Sequence, residues 1–281
     1  MIVDLHIHST ASDGTDTPEE ILKKFCKESG VRIFSLTDHD TIIGEEKIRP
    51  LIPADVIFID GAEFSCRTAQ GNKCHILAYR YDAKASAFQK ILEQSRLLHQ
   101  NKASIHLQYL SELYKIKFSE ADIAEICNGD VIGRSHIVNF IAWKYGLDKR
   151  KIYDDLRNCR GGSTRIDAEE VIKAVTTSGG IAVWAHPLGG EREEILTATE
   201  FRKRLDELVA YGIQGLECYY SRYTAEQEKF LVSAAEEKGL LISGGSDYHG
   251  TNKENISLGK LCSENVKVSA SQLTILQVLC Q

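Results

Sequence analysis

Near the amino terminus the run Asp4-Leu5-His6-Ile7-His8 sets a carboxylate and two imidazoles at alternate positions. In an extended strand alternate side chains share a face, so Asp4, His6 and His8 point one way and Leu5 and Ile7 the other. His6 and His8 then stand about 7 Å apart along the strand, close enough for both rings to converge on one ion. An isolated pair of this kind is better explained by structural histidines, and its weight comes from its company. Similar groups recur in Thr37-Asp38-His39-Asp40, Gly61-Ala62-Glu63, Lys73-Cys74-His75, Ala185-His186-Pro187 and Ser246-Asp247-Tyr248-His249. Histidines and carboxylates spread over so many strand-like runs exceed what helix capping or core hydrogen bonding uses. Imidazole with carboxylate, and no cysteine among these groups, suits Zn²⁺, Mn²⁺ or Fe²⁺ better than Ca²⁺ or Cu⁺. There are too many candidates for one tetrahedral zinc, so two or three clustered ions fit better. Such clusters activate water, clamp phosphoryl oxygens and stabilise a leaving alkoxide.

Other motifs read two ways. Asp13-Gly14 has the composition of a turn. Arg134-Ser135-His136 is either a solvated helix face or a substrate contact. His99 and His106 read as ordinary helix residues. The chain has no GxxxxGK phosphate loop, no GxSxG nucleophile elbow and no GxGxxG dinucleotide fingerprint.

The elements that must position these groups are short apolar runs: Ile2–Ile7, Arg32–Thr37, Val56–Ala62, Cys74–Arg80, Gly180–Ala185, Gln214–Tyr219 and Leu240–Gly244. Their near-continuous apolar character suits parallel strands covered on both faces. Helices between them are announced by caps, with Thr17-Pro18-Glu19-Glu20 a capping box carrying proline at the first helical position. Asp167–Glu170 and Thr224–Gln227 repeat the cap pattern. The alternation predicts an α/β fold with a parallel sheet, more in keeping with a closed barrel than an open one. Most of the polar groups then fall at C-terminal strand ends, where barrel enzymes build their sites. His75 is the exception, near the start of its run. From about residue 84 to 167 the pattern is helical, over Ala87–Leu113, Ser119–Cys127, Ser135–Tyr145 and Asp148–Asn158. This predicts an insertion between the fourth and fifth strands, with the barrel over 1–95 and 165–281 and the helical unit over 96–164.

Composition bounds the reading. The 281 residues carry 34 Lys+Arg against 40 Asp+Glu, a formal charge of −6, which argues against binding duplex DNA through a basic face. At 43% hydrophobic and 26% charged residues the chain is an ordinary globular protein rather than a disordered one. No apolar run has membrane-spanning length and the first residues do not resemble a secretory leader. The eight scattered cysteines, with no CxxC, read as reduced thiols of a cytoplasmic protein.

In order, DLHIHST, SDGT, LTDHD, GAEFS, KCHIL, AHP and GGSDYHG resemble the PHP (polymerase and histidinol phosphatase) family of metal-dependent phosphoesterases over nearly the whole chain. The helical insertion with Gly133-Arg134-Ser135-His136 is similar to the branch that includes 3′,5′-nucleoside bisphosphate phosphatases and 5′-3′ exonucleases trimming short RNA. The resemblance implies a distorted (β/α)7 barrel around a trinuclear centre of manganese, iron or zinc. One ion would take His6, His8, Glu63 and Asp247; a second would share Glu63 and add His75 and His186; the third would take Asp13, His39 and His249. It implies hydrolysis of a nucleotide phosphate monoester, most readily the 3′-phosphate of a 3′,5′-nucleoside bisphosphate, by a hydroxide bridging two ions. Asp247 would accept the proton, and His249 or His39 would assist the leaving oxygen. Arg134, His136 and Arg192 would contact substrate, although relatives often place an arginine closer to the His-Pro pair than Arg192 stands. Asp38 and Asp40 would orient His39. Short RNA, histidinol phosphate and a non-catalytic metal-binding role are the alternatives.

Overall fold

The computed structural model describes residues 2–27, 32–126, 131–190, 194–263 and 268–281. Among these the strands are β1 (Ile2–Asp4), β2 (Arg32–Ser35), β3 (Val56–Ile59), β4 (Gly61–Arg67), β5 (Lys73–Tyr79), β6 (Ile166–Asp167), β7 (Ile181–Trp184), β8 (Gly215–Tyr220) and β9 (Leu241–Gly245). The helices are α1 (Pro18–Cys26), α2 (Ile43–Ile48), α3 (Ser86–Tyr114), α4 (Glu120–Ile126), α5 (Arg134–Tyr145), α6 (Lys149–Asn158), α7 (Ala168–Thr177), α8 (Ala198–Tyr211), α9 (Ala225–Lys238) and α10 (Leu276–Leu279). The expected capping box at Thr17 is present, with Pro18 opening α1, and Thr224 caps α9 in the same way. Asp167 caps α7 through the Glu169 and Glu170 amides.

The α/β reading holds, but the regular ladders form two sheets rather than one closed barrel. A parallel sheet runs β1-β2-β3, and a mixed one runs β6-β4-β5-β7-β8-β9. Two features depart from the predicted parallel ring. The run Val56–Ala62 is split at Asp60: β3 stays on β2 while β4 turns away to pair with β5 and β6. Gly61 permits the turn, because a Cβ there would collide with the Ser35 hydroxyl. β5 also runs antiparallel to both β4 and β7, which places its first residues at the same end as the last residues of its neighbours. That reversal is how His75, near the start of its strand, meets groups at the ends of theirs.

Short contacts join the two sheets at both edges. His39 bridges to Glu63 on one side, and on the other Ile7 bridges to Tyr248 while the Leu5 amide donates to the Gly244 carbonyl at 3.3 Å. The approach on this second side depends on Gly245, where any Cβ would strike the Cβ of His6.

Three apolar clusters support this frame. The largest packs the interior of the six-stranded sheet against α3, α7, α8 and α9, with Phe64, Phe88, Trp184, Phe201 and Leu231 buried within it. A smaller one, with Phe25, Phe34 and Ile48, lies under α1 and α2. The third, with Leu110, Ile137, Ile141, Ile152 and Leu156, lies among α3, α4, α5 and α6. The 29-residue α3 enters both the first and the third, through Phe88 and Ile91 near its start and Ala103 and Leu110 beyond its middle.

Candidate metal centre

Glu63, in mid-β4 and wholly buried, is the hub of the site. Its Oε1 lies 3.0 Å from His75 Nδ1 and 3.2 Å from His186 Nε2. Its Oε2 lies 3.3 Å from His6 Nε2, 3.2 Å from His8 Nε2 and 3.0 Å from His39 Nδ1. One carboxylate therefore divides five imidazoles into two sets. Asp247 Oδ1 lies 3.5 Å from His6, 3.3 Å from His8 and 3.4 Å from His249 Nδ1. Asp13 Oδ1 is 3.1 Å from His249 Nε2, and its Oδ2 is 3.9 Å from His39 Nε2. The structure thus brings together all of His6, His8, Asp13, His39, Glu63, His75, His186, Asp247 and His249. Among the described residues three groups have donors close enough to share an ion: His8, Asp13, His39 and His249; His6, His8 and Asp247; and His39, Glu63 and His75. His8 and His39 each belong to two groups, so the sets overlap more than the sequence resemblance implied.

The donors fit divalent metal. His6 Nε2 and His8 Nε2 face each other at 3.1 Å beside carboxylate oxygens, an arrangement that a shared cation would satisfy. His39 Nδ1 and Glu63 Oε2 are buried without a hydrogen-bond partner although they are close together. A buried polar atom left unpaired is costly, and a cation between them removes the cost. The site's potential agrees. Burial alone lowers the proton affinity of an imidazole, yet Glu217, Glu63 and Asp247 hold His6 well above its ordinary value. Surroundings that favour one positive charge so strongly also favour a metal ion.

The neighbouring groups hold this cluster in place. Glu217, in the fully buried β8, accepts from His6 Nδ1 at 2.9 Å through Oε1 and from the His186 amide at 2.6 Å through Oε2. This carboxylate–histidine pairing fixes the tautomer that leaves His6 Nε2 free to bind. Tyr220 donates to Asp247 Oδ2 at 2.9 Å, and Lys253 pairs with the same oxygen. Asp40, His186 and Asp247 all have positive φ, at 60°, 29° and 56°. Non-glycine residues persist there only where surrounding contacts over-determine them, commonly at functional sites.

Several expectations for the polar residues need correction. Asp4, although in the same run as His6 and His8, turns away from the cluster to accept from the Ser246 and Gly259 amides, and burial pushes its carboxyl up to about 6. Asp38 does not orient His39; it accepts from the Ser9 amide and from the Ser9 and Ser12 hydroxyls, fixing the loop that delivers Asp13. Asp40 takes His99 as its partner, with Oδ2 at 2.8 Å from His99 Nε2, while Oδ1 accepts from the Ser65 amide. His99 is therefore no bystander: it ties α3 to the strand end that carries His39. His99→Leu is expected to lower the unfolding free energy by about 2–3 kcal/mol, because the buried Asp40 carboxylate loses a hydrogen-bond partner. Adding Asp40→Asn should recover part of that loss in urea unfolding, and strict additivity of the two changes would refute the coupling.

The substrate candidates divide. His136 accepts from the Gly133 amide at 3.0 Å through Nδ1, bonds the Thr10 backbone and lies within electrostatic reach of Asp13, so α5 begins beside the cluster. Arg134, the first residue of α5, is exposed. Arg192 lies outside the described residues.

Comparison with known proteins gives the same picture. No protein-family model matches the chain. A phosphoribosyl 1,2-cyclic phosphate 1,2-diphosphodiesterase from Eggerthella lenta is 28% identical over 262 residues, spanning 89% of this chain and 95% of the relative. A 5′-3′ exoribonuclease from Haemophilus influenzae is 28% identical, spanning 88% of this chain and 89% of its own. A 3′,5′-nucleoside bisphosphate phosphatase from Chromobacterium violaceum is 24% identical across 92% of this chain and 90% of its own. Among solved structures, one described as a metal-dependent phosphoesterase from Bifidobacterium adolescentis matches with a TM-score of 0.76 at 24% identity, over 99% of this chain and 95% of that one, and shows the shared fold. These likenesses bear out the resemblance to the PHP phosphoesterases, and with it a phosphoester hydrolase.

Proposed function

Starting from a metal-dependent phosphoesterase of the PHP type, we propose that the chain hydrolyses a phosphate monoester of a nucleotide, most readily the 3′-phosphate of a 3′,5′-nucleoside bisphosphate. The observation that carries the reaction class is Glu63, whose two oxygens each face a different set of imidazoles. A carboxylate so placed suits two ions held side by side, and Asp13 with His39 and His249 offers a place for a third. His6, His8 and Asp247 would hold the first ion, with His75 and His186 across Glu63 holding the second. The unit over residues 96–164, whose described helices pack around their own apolar cluster, is proposed to cover the substrate.

When bound, the ions supply an activated water and neutralise charge on the phosphoryl oxygens. The protein supplies the rest. Asp247 presents Oδ1 toward the shared space while Tyr220 and Lys253 anchor Oδ2, and it is the proposed proton acceptor. His249 and His39, on the Asp13 side, are placed to assist the leaving oxygen. Arg134 and His136 at the start of α5 would counter charge building on the phosphoryl group.

The relative from Eggerthella lenta favours a second reading, in which the substrate is a cyclic phosphodiester of a phosphorylated ribose opened at the same centre. A turnover screen on metal-loaded protein separates these, using nucleoside 3′,5′-bisphosphates, a ribose cyclic phosphate, short 5′-phosphorylated RNA and histidinol phosphate, with free phosphate read for the monoesters and the monoester products of the diesters read by chromatography. Bisphosphate should be the fastest substrate, and chelation should abolish turnover until Mn²⁺, Fe²⁺ or Zn²⁺ is restored. Absence of turnover on every member would end the phosphoesterase reading for this chain. Arg134→Ala should raise KM by roughly 10-fold, the loss of one charged contact, without changing bound metal. Loss of metal in that variant would show that Arg134 supports the site rather than the substrate.

A further inference from the structure

On the Oε1 side of Glu63 the site opens into a cavity of about 500 Å³. His75 and His186 form its inner edge, and Lys73, Arg165 and Arg204 stand along its walls. This lies on the opposite oxygen of Glu63 from Asp13's partner His39, and so away from the side where α5 meets the cluster. Three different elements bring the cations together: Lys73 opens β5, Arg165 precedes β6 and Arg204 lies on α8.

The balance of charge in the cavity favours an anion. Among the described residues two carboxylates line the wall, Glu194 and Glu200. Glu200 accepts from the Thr197 amide and hydroxyl but keeps its charge, within electrostatic reach of Arg204, so three cations face two carboxylates. Arg165 spends Nη1 on the Cys66 and Cys74 carbonyls, which locks the guanidinium against the β4–β5 pair without neutralising it. No carboxylate among the described residues forms an ion pair with Lys73, Arg165 or Arg204. Three cations without ion-pair partners, lining a space of ligand size that ends at two imidazoles, have the character of an anion subsite. The indole of Trp184 backs the space but is almost wholly buried and stacked on Phe201, so it offers little face to a nucleobase. The chemistry matches a phosphate better than a base.

We infer that this cavity binds a second anionic group of the substrate, a phosphate on the same sugar as the one lying against the histidine cluster. The inference rests on the phosphoesterase reading above and deepens it: the cavity selects sugar phosphates bearing two phosphates over those bearing one.

The test uses the metal-loaded protein and compares adenosine 3′,5′-bisphosphate with adenosine 3′-monophosphate, which share the scissile ester and differ by the second phosphate. Arg204→Glu should lower kcat/KM for the bisphosphate by about 10- to 100-fold, the range for a lost charged hydrogen bond, and leave the monophosphate within about 2-fold. Lys73→Glu should split the two substrates in the same direction, and metal content should be unchanged in both variants. An equal fall for both substrates, or no fall for either, overturns the inference. If wild-type protein hydrolyses neither, the proposed reaction fails, and calorimetric binding of adenosine 5′-monophosphate then decides on the cavity. Weaker binding by Arg204→Glu supports it, and unchanged binding overturns it.

Discussion

Glu63→Gln is expected to abolish detectable phosphate release, a fall of at least ~10³-fold, the scale for losing one preorganised electrostatic group. The change keeps the shape of the side chain and removes its charge from between five imidazoles. A neutral amide cannot offset two adjacent cations, and its NH₂ would point a donor at the place where an ion must sit. Metal analysis should therefore show less than the wild-type complement, with the shortfall spread over both sets of histidines. The measurement is metal content after gel filtration, alongside turnover and a thermal melt to establish that the variant is folded. A folded variant with full metal and more than a tenth of wild-type activity would remove Glu63 from the centre of the mechanism.

Glu217 gives the second large effect, through residues it positions. With Gln in its place the amide oxygen can still accept one of the two hydrogen bonds, from His6 Nδ1 or from the His186 amide. Metal affinity should weaken by about 10- to 100-fold, the usual cost of losing a carboxylate behind a metal-binding histidine. Excess metal should restore much of the turnover, which separates this variant from Glu63→Gln. Glu217→Ala should be worse in another way. It leaves both donors buried and unpaired, at about 1–3 kcal/mol each, and should lower the melting temperature clearly. Metal titrations followed by turnover, together with melts of both variants, check the pair of outcomes. If Glu217→Ala bound metal as tightly as wild type, the support for His6 would have to come from elsewhere.

The site was far more legible than the sheet. Its histidines betray themselves because six separate apolar runs each deliver one or two polar groups, a pattern that a core has no use for. Glu217 escaped that reasoning because it sits in mid-run, in Gly215-Leu216-Glu217-Cys218-Tyr219-Tyr220, and not at a strand end. Its signal was nevertheless there: a carboxylate within a run apolar enough to be buried on both faces must have a charged or hydrogen-bonded partner. Lys253 and the Asp40–His99 contact left no such trace, since both depend on loops and helices meeting across the fold. The strand reversal at β5 was partly visible. Gln70-Gly71-Asn72 lies between two strand-like runs, and Gly71 takes a φ of 82°, as a tight turn demands. Reading residues 56–62 as one strand hid it, because the chain changes neighbours at Asp60 without leaving an extended form. β6, with two residues, is too short for any periodicity.

The continuity of α3 bears on how this protein can be taken apart. At 29 residues the helix is about 43 Å long, and its two halves serve different apolar clusters. Sequence comparison alone would invite an engineer to excise the helical insertion, or to graft it onto another scaffold, by cutting near residue 96. That cut passes between Ile91 and Ala103 and removes His99 from Asp40. The remaining body would keep a buried carboxylate stripped of its hydrogen-bond partner next to His39, and the transplanted piece would lose the stem on which it is mounted. The insertion is thus not a cassette. A workable minimal catalytic body must retain α3 at least through His99, and a workable graft must carry the same stem with it.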